Sequence, residues 1–180
     1  SDIQVPELNH ELRIMSYNLM YLTSANAYHD EKFVLDRLDQ LIKKANADIY
    51  FFQEFPIYHV GWLKKLSGFQ CITALNGGRR LLIVALIRLK NGRHNYKIIP
   101  YKPLKYERNS ILIFYRHKNQ IIKITSVHLE SGYPYVRTSR FIEYNEFATS
   151  YKANIEIRKS QLNEIIKYSP NIIFGDFNFT

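Results

Sequence analysis

The sequence predicts a single α/β domain, and three observations predict it. Apolar runs of strand length recur from Ile14 to Phe174, two longer stretches carry apolar residues at helical spacing, and close turn signals separate the runs in the middle. At 180 residues the chain is long enough for one well-packed domain and too short for two. Hydrophobic residues make up 46% and charged residues 23%, which excludes a disordered segment.

Residues 1–11 are polar, contain Pro6 and read as a loose N-terminal arm. Residues 12–19 alternate enough to form a strand that delivers Asn18 near its end. Asp30 is placed to cap a helix whose apolar positions are Val34, Leu38, Leu41 and Ala45, with Leu35 and Ile42 beside them. The apolar run 49–52 then closes on Gln53 and Glu54, and Pro56 is expected to stop that strand. A short helix over 57–66 and a strand over 69–74 follow.

Asn76-Gly77-Gly78 marks a turn before a strand over 81–88. Asn91-Gly92 predicts another hairpin turn before a strand over 96–101. Residues 108–115 and 120–127, joined across His117-Lys118-Asn119, read as an antiparallel pair. The chain therefore begins as βαβ and continues as a meander. From 137 to 167 the pattern is helical after an initial loop, with Phe141, Tyr144, Ala148, Tyr151, Ile155, Leu162 and Ile166 on one buried side. Finally 172–174 reads as a buried strand. Gly175 reads as the point where the backbone turns, presenting Asp176 and Asn178.

Lys and Arg outnumber Asp and Glu by 25 to 16, a formal charge of +9 that favours a polyanionic partner such as nucleic acid or an acidic surface. Cys71 is the single cysteine, which rules out an internal disulfide and a cysteine-rich metal site. It fits a reducing, intracellular compartment, nuclear or cytoplasmic. The longest apolar run, 81–87, is far below the roughly 20 residues a membrane helix needs, so no stable membrane insertion is expected.

Four polar endings each follow an apolar strand: Asn18, Gln53-Glu54, His128 with Glu130 and Ser131, and Asp176 with Asn178. Singly, each is also an ordinary loop residue or a satisfied core side chain. Together they place an Asp base, an adjacent amide donor, a second carboxylate and an imidazole at strand ends, where α/β sheets build sites.

On these residues the chain resembles the endonuclease/exonuclease/phosphatase superfamily, through Met15 to Asn18, Asp48 to Glu54, Thr125 to Leu129 and Ile173 to Asn178 in that order. The tetrapeptide His128-Leu129-Glu130-Ser131, with Arg158 and Gln161-Leu162 downstream, is similar to the tyrosyl-DNA phosphodiesterase 2 branch. The resemblance implies a four-layer α/β sandwich, two mixed sheets face to face with helices outside. It also implies a Mg²⁺-dependent phosphodiesterase, with Mn²⁺ as a substitute, acting on nucleic acid ends in repair.

In that reading Glu54 binds the metal, Asp176 activates water, Asn178 donates to the nucleophile or phosphate, Asn18 steadies the metal shell or Asp176, and His128 donates to a phosphate oxygen. Glu130, Ser131, Arg137 and Arg158 are the candidate substrate-binding residues. Tyr133, Tyr135 and Arg140 around Arg137 suit a single-strand binding loop, and surface filler is an equal reading. Arg79, Arg80, Lys102, Lys105 and Arg108 read as a phosphate-binding wall or as solvated charge. Other members of the superfamily, abasic-site or general nucleases and inositol or sphingolipid phosphodiesterases, are alternatives, as is an inactive nucleic-acid-binding module. The superfamily ends on a Ser-Asp-His or similar triplet, whereas this chain stops at Thr180 without one. The resemblance thus implies that the catalytic domain, 12–180, is truncated at its C-terminal end, its missing strands belonging either to a longer chain or to a partner chain.

Overall fold

The computed structural model describes residues 11–19, 31–77, 80–101, 107–130 and 144–178. Strands β1 (Ile14–Asn18) and β2 (Ile49–Pro56) run parallel, and α1 (Glu31–Ala45) lies between them in the chain. A parallel pair needs such a crossover, because a tight turn cannot carry the chain back to the starting end. A 3₁₀ turn, Ile57–His59, leads into the short helix α2 (Val60–Lys65). Strands β3 (Phe69–Leu75) and β4 (Leu81–Arg88) form a hairpin, and β4 inserts beside β2 to give the order β1-β2-β4-β3. Residues 81–87 are all buried, as an unbroken apolar run covered on both faces requires.

The second sheet contains β5 (Asn95–Pro100), β6 (Asn109–His117), β7 (Gln120–His128) and β8 (Ile172–Asp176) in that order. Lys118 and Asn119 turn β6 into β7 with φ of 46° and 62°, the left-handed pair that a two-residue hairpin demands. The helix α3 (Tyr144–Ile166) carries the chain from β7 to the parallel strand β8.

Three apolar clusters define four layers. Ile49, Phe51, Ile83, Ala85 and Ile87 of the first sheet meet Ile111, Ile113, Tyr115 and Ile124 of the second in a fully or almost fully buried seam. Each Ile or Phe side chain there contributes about 2 kcal/mol by removal from water. Leu38 and Ile42 of α1 and Leu63 of α2 pack on Tyr50, Phe52, Val84 and Leu86 across the outer face of the first sheet. Ile165 and Leu162 of α3 pack on Val127, Leu129 and Ile173 across the outer face of the second. The expected four-layer sandwich of two mixed sheets is therefore what the chain forms.

Four expectations are corrected. Ile166 is 57% exposed, and Ile165 takes the buried place on α3. Asn91-Gly92 is not a hairpin turn: β4 already has β2 on one side and β3 on the other, so the chain leaves through a 3₁₀ turn, Leu89–Asn91, and β5 starts the second sheet. β2 does end at Pro56, but it does not close on Gln53 and Glu54: it runs past them by way of a register shift between Phe52 and Phe55. Gly175 is no turn; it lies inside β8, paired with Val127. No helix among the described residues is long and apolar enough to cross a membrane. The side chains of Val34, Tyr144 and Ala148, together with Phe141 and residues 1–10, lie outside the described residues.

Candidate active site

Each sheet contributes one parallel pair, and parallel strands bring their carboxyl ends to the same edge. In register, Asn18 lies opposite Gln53 and His128 opposite Asp176. The two ends meet: Asn18 Nδ2 donates to Asp176 Oδ2 at 2.8 Å and to Glu54 Oε1 at 3.4 Å. One amide of the first sheet thus touches a carboxylate of each sheet.

The bulge in β2 explains how Glu54 arrives there. Gln53 turns inward, 1% exposed, and donates from Nε2 to Ser16 Oγ at 3.1 Å and Ser126 Oγ at 3.3 Å, tying the two sheets beneath the rim. Glu54 takes φ of 57°, a left-handed conformation that costs a non-glycine residue about 1 kcal/mol and re-aims its side chain. Its carboxylate lies 3.5 Å from His128 Nε2. Burial raises the Glu54 pKa above the usual carboxylate value; the Asn18 donor lowers it, the Asp176 charge raises it and Arg108 lowers it.

His128 is 6% exposed, and burial, followed by the Arg108 charge, lowers its pKa to about 4 against an opposing pull from Asp176. The imidazole is consequently neutral at neutral pH, and its contact with Glu54 is that of a neutral ring. His128 Nδ1 is buried with no hydrogen-bond partner among the described residues.

Asp176 is fixed through both oxygens, since Asn178 N donates to Oδ1 at 2.9 Å while Asn18 holds Oδ2. Asn178, at φ of 51°, turns its own Nδ2 to the Leu129 carbonyl at 2.8 Å, and Leu129 N donates to Asp176 O at 2.9 Å. Asn178 therefore clasps the segment after His128 and orients Asp176 through its backbone N–H. Just before Asp176, Gly175 has φ of 131°, and a Cβ there would meet Val127 O at 2.0 Å. Only glycine lets β8 approach β7 this closely.

Glu130 also lies at the rim, where its Oε2 is 3.1 Å from Arg108 Nε in an ion pair and its Oε1 accepts from Arg108 NH2 at 3.4 Å. Its backbone is gripped from α3: Glu130 N donates to Gln161 Oε1 at 2.9 Å, and Arg158 NH1 donates to Glu130 O at 3.4 Å. Arg158 and Gln161 are 4% and 2% exposed, so this helix face anchors the segment after His128 instead of facing solvent. The tie that Gln53 makes between the two sheets, Arg108 as Glu130's partner, and this main-chain grip were not evident from the sequence. Spacing along α3 gave the one available signal, Arg158 and Gln161 three residues apart. Ser131 and Arg137, with Tyr133, Tyr135 and Arg140, lie outside the described residues, as do Arg79, Lys102 and Lys105.

Among the described residues no group of three or more His, Cys, Asp or Glu side chains is arranged to hold a metal ion. Mg²⁺ does not need one, because it keeps several waters and takes only one or two carboxylates plus substrate oxygens. Glu54 and Asp176 fit that demand: they are hard oxygen donors brought together on one amide, and the mutual repulsion and burial that raise Glu54 are what a bound cation relieves. Beside Asp176 opens a cavity of about 410 Å³, lined also by Ser16, Asn18, Gln53 and residues 173–175 and 177.

The sequence profile of the Endonuclease/Exonuclease/phosphatase family matches residues 15–180, and the chain belongs to that family. Among solved structures it is similar to D. rerio TDP2 complexed with single-strand DNA product, at 20% identity and a TM-score of 0.67 over 94% of this chain and 61% of that one. It is also similar to truncated Caenorhabditis elegans TDP2, at 19% identity and a TM-score of 0.62 over 94% of this chain and 63% of that one. The Bacteroides thetaiotaomicron mannosyl-6-phosphatase Bt3783 matches at 14% identity and a TM-score of 0.60 over 93% and 66% of the two chains. The chain thus spans less than two thirds of the length of these structures. Comparison with curated protein sequences finds no match.

Proposed function

We propose that the protein is a Mg²⁺-dependent phosphodiesterase acting on nucleic acid ends, and that its substrate is a 5′-tyrosyl-phosphate adduct. The observation that carries the reading is the Asn18 amide holding the carboxylates of Asp176 and Glu54 together beside a neutral, buried His128. Likeness to TDP2, one structure of which holds a single-strand DNA product, and the charge of +9 support the substrate class.

In this reading Glu54, with Asp176 nearby, holds Mg²⁺, which when bound neutralises charge on the phosphate as it develops in the transition state. Asp176, held at both oxygens, accepts the proton of the attacking water. His128 Nε2 faces the Glu54 carboxylate and offers its N–H to a phosphate oxygen without first losing a proton. Arg108 and Glu130 frame the approach, and the surplus of Lys and Arg draws the strand in.

The test is a panel of 5′-tyrosyl, 3′-tyrosyl, abasic and unmodified oligonucleotides with and without Mg²⁺. Release of tyrosine from the 5′ adduct alone, lost in chelator, is expected. Turnover of the abasic or unmodified strand instead assigns a nuclease and overturns the tyrosyl assignment.

A further inference from the structure

Away from the carboxylates, a pair of buried asparagines joins the two sheets at the same rim. Asn76, just past β3, and Asn109, the first residue of β6, are 0% and 3% exposed. Asn76 Nδ2 donates to Asn109 O at 2.8 Å, and Asn109 Nδ2 donates to Leu75 O at 2.7 Å. The backbone follows the side chains: Asn76 and Arg108 form an antiparallel bridge outside both sheets, and Gly77 N donates to Glu107 O at 2.7 Å. Buried amides are costly unless their polar atoms are engaged, and here both amide donors are.

The free end of the Asn76 amide points to Arg108. Arg108 NH1 donates to Asn76 Oδ1 and to the His128 carbonyl, each at 3.4 Å, while the other side of the guanidinium faces Glu130. The Arg108 side chain is 12% exposed, with its Nε buried and lying off the hydrogen-bond line to Glu130. A single amide thus couples the strap between sheets to the position of a cation at the rim. That coupling matters because the candidate site is itself divided, with Asn18 and Glu54 on one sheet and His128 and Asp176 on the other.

We infer that Asn76 and Asn109 are positioning residues: the pair straps the β3–β4 hairpin to β6 and, through Asn76 Oδ1, holds the Arg108 guanidinium against Glu130 and the His128 carbonyl. The effect on turnover rests on the phosphodiesterase reading; the hold on Arg108 does not. A misplacement of about 1 Å at a reacting centre costs on the order of 100-fold, so loosening the strap lowers kcat and leaves KM for a long strand nearly unchanged.

The experiment measures water exchange of the Arg108 Nε–H by nitrogen-detected NMR on the full chain, unaltered and as Asn76→Ala and Asn76→Asp. In the unaltered protein, exchange at least about tenfold slower than at exposed Arg93 is expected. Asn76→Ala removes both contacts and leaves Arg108 with Glu130 and the His128 carbonyl alone, so its exchange speeds toward the Arg93 rate, with kcat down roughly 10- to 100-fold. Asn76→Asp loses the strap donor but keeps an oxygen on Arg108, so slow exchange persists and kcat recovers at least tenfold relative to Asn76→Ala. An Arg108 that exchanges as fast as Arg93 in the unaltered chain overturns the inference with no variant needed. So does slow exchange in a folded Asn76→Ala protein, or fast exchange in Asn76→Asp. Slow exchange that responds to the variants as stated, on a protein that hydrolyses none of the oligonucleotides, upholds the strap and rejects the phosphodiesterase reading alone.

Discussion

Asn18 and Asp176, 158 positions apart in the chain, are joined by a 2.8 Å hydrogen bond from amide to carboxylate. The same amide reaches Glu54, so Asn18 touches a carboxylate of each sheet. Replacing it with alanine frees two mutually repelling carboxylates and is expected to lower kcat roughly 10- to 100-fold, the size typical of a supporting hydrogen-bond partner. Asn18→Asp, which adds a third negative charge, is expected to fall further. Single-turnover rates of the two variants check the order.

Asp176→Asn keeps shape and removes the base, so turnover falls by about two to four orders of magnitude while melting changes little. Near-normal kcat in that variant would make Asp176 a turn residue. Circular dichroism alongside the rate separates lost chemistry from lost fold.

Glu54 carries a carboxylate raised by burial, and a bound cation offsets that penalty. Mg²⁺ is therefore expected to raise the melting temperature of the unaltered chain through linkage, and to have no effect on Glu54→Gln. Differential scanning calorimetry across a Mg²⁺ series reads this without any substrate.

The pH dependence of stability carries the signature of His128. Its folded pKa of about 4 lies below the ordinary histidine value, so between roughly 4 and 6.5 the unfolded chain binds more protons. Stability contributed by the neutral ring is complete above about 6.5 and is lost as pH falls toward 4. Glu54 opposes this, since its raised pKa means that stability declines as pH rises from the ordinary carboxylate value through its folded one. Urea titrations of the unaltered protein and His128→Gln should show the acid-side slope shrink in the variant.

Gly175→Ala places a methyl group at 2.0 Å from Val127 O, and a backbone at φ of 131° adds strain. A loss of at least about 3 kcal/mol is expected, through displacement of β8 and with it Asp176. Chemical denaturation measures it.

Much of this was legible in the sequence because local chemistry and global placement agreed. Asn18, Glu54, His128 and Asp176 each follow an apolar run, and parallel pairing carries those ends to one edge. The division of the middle strands between two sheets was not legible. Asn91-Gly92 has the composition of a hairpin turn, and only the long-range pairing of β4 with β2 and β3 forbids one. Glu54 looks like a strand end, yet the Phe52 to Phe55 register shift is set by contacts with β4. Gly175 has the composition of a turn, and its close approach to Val127 depends on which strand lies beside it. The Asn76–Asn109 strap and the Arg108–Glu130 pair likewise join residues from 22 to 34 positions apart, beyond the reach of any periodicity.

The proposed chemistry is hydrolysis of a phosphodiester by Asp176 and Glu54, joined by Asn18, with Mg²⁺. Its most direct test is tyrosine release from a 5′-tyrosyl oligonucleotide by the unaltered chain, Asp176→Asn and Glu54→Gln, each with Mg²⁺ and with excess chelator. That chemistry requires release by the unaltered chain in Mg²⁺ and at least about 100-fold less in the five other arms. Undiminished release in chelator, or by Asp176→Asn in Mg²⁺, would contradict it.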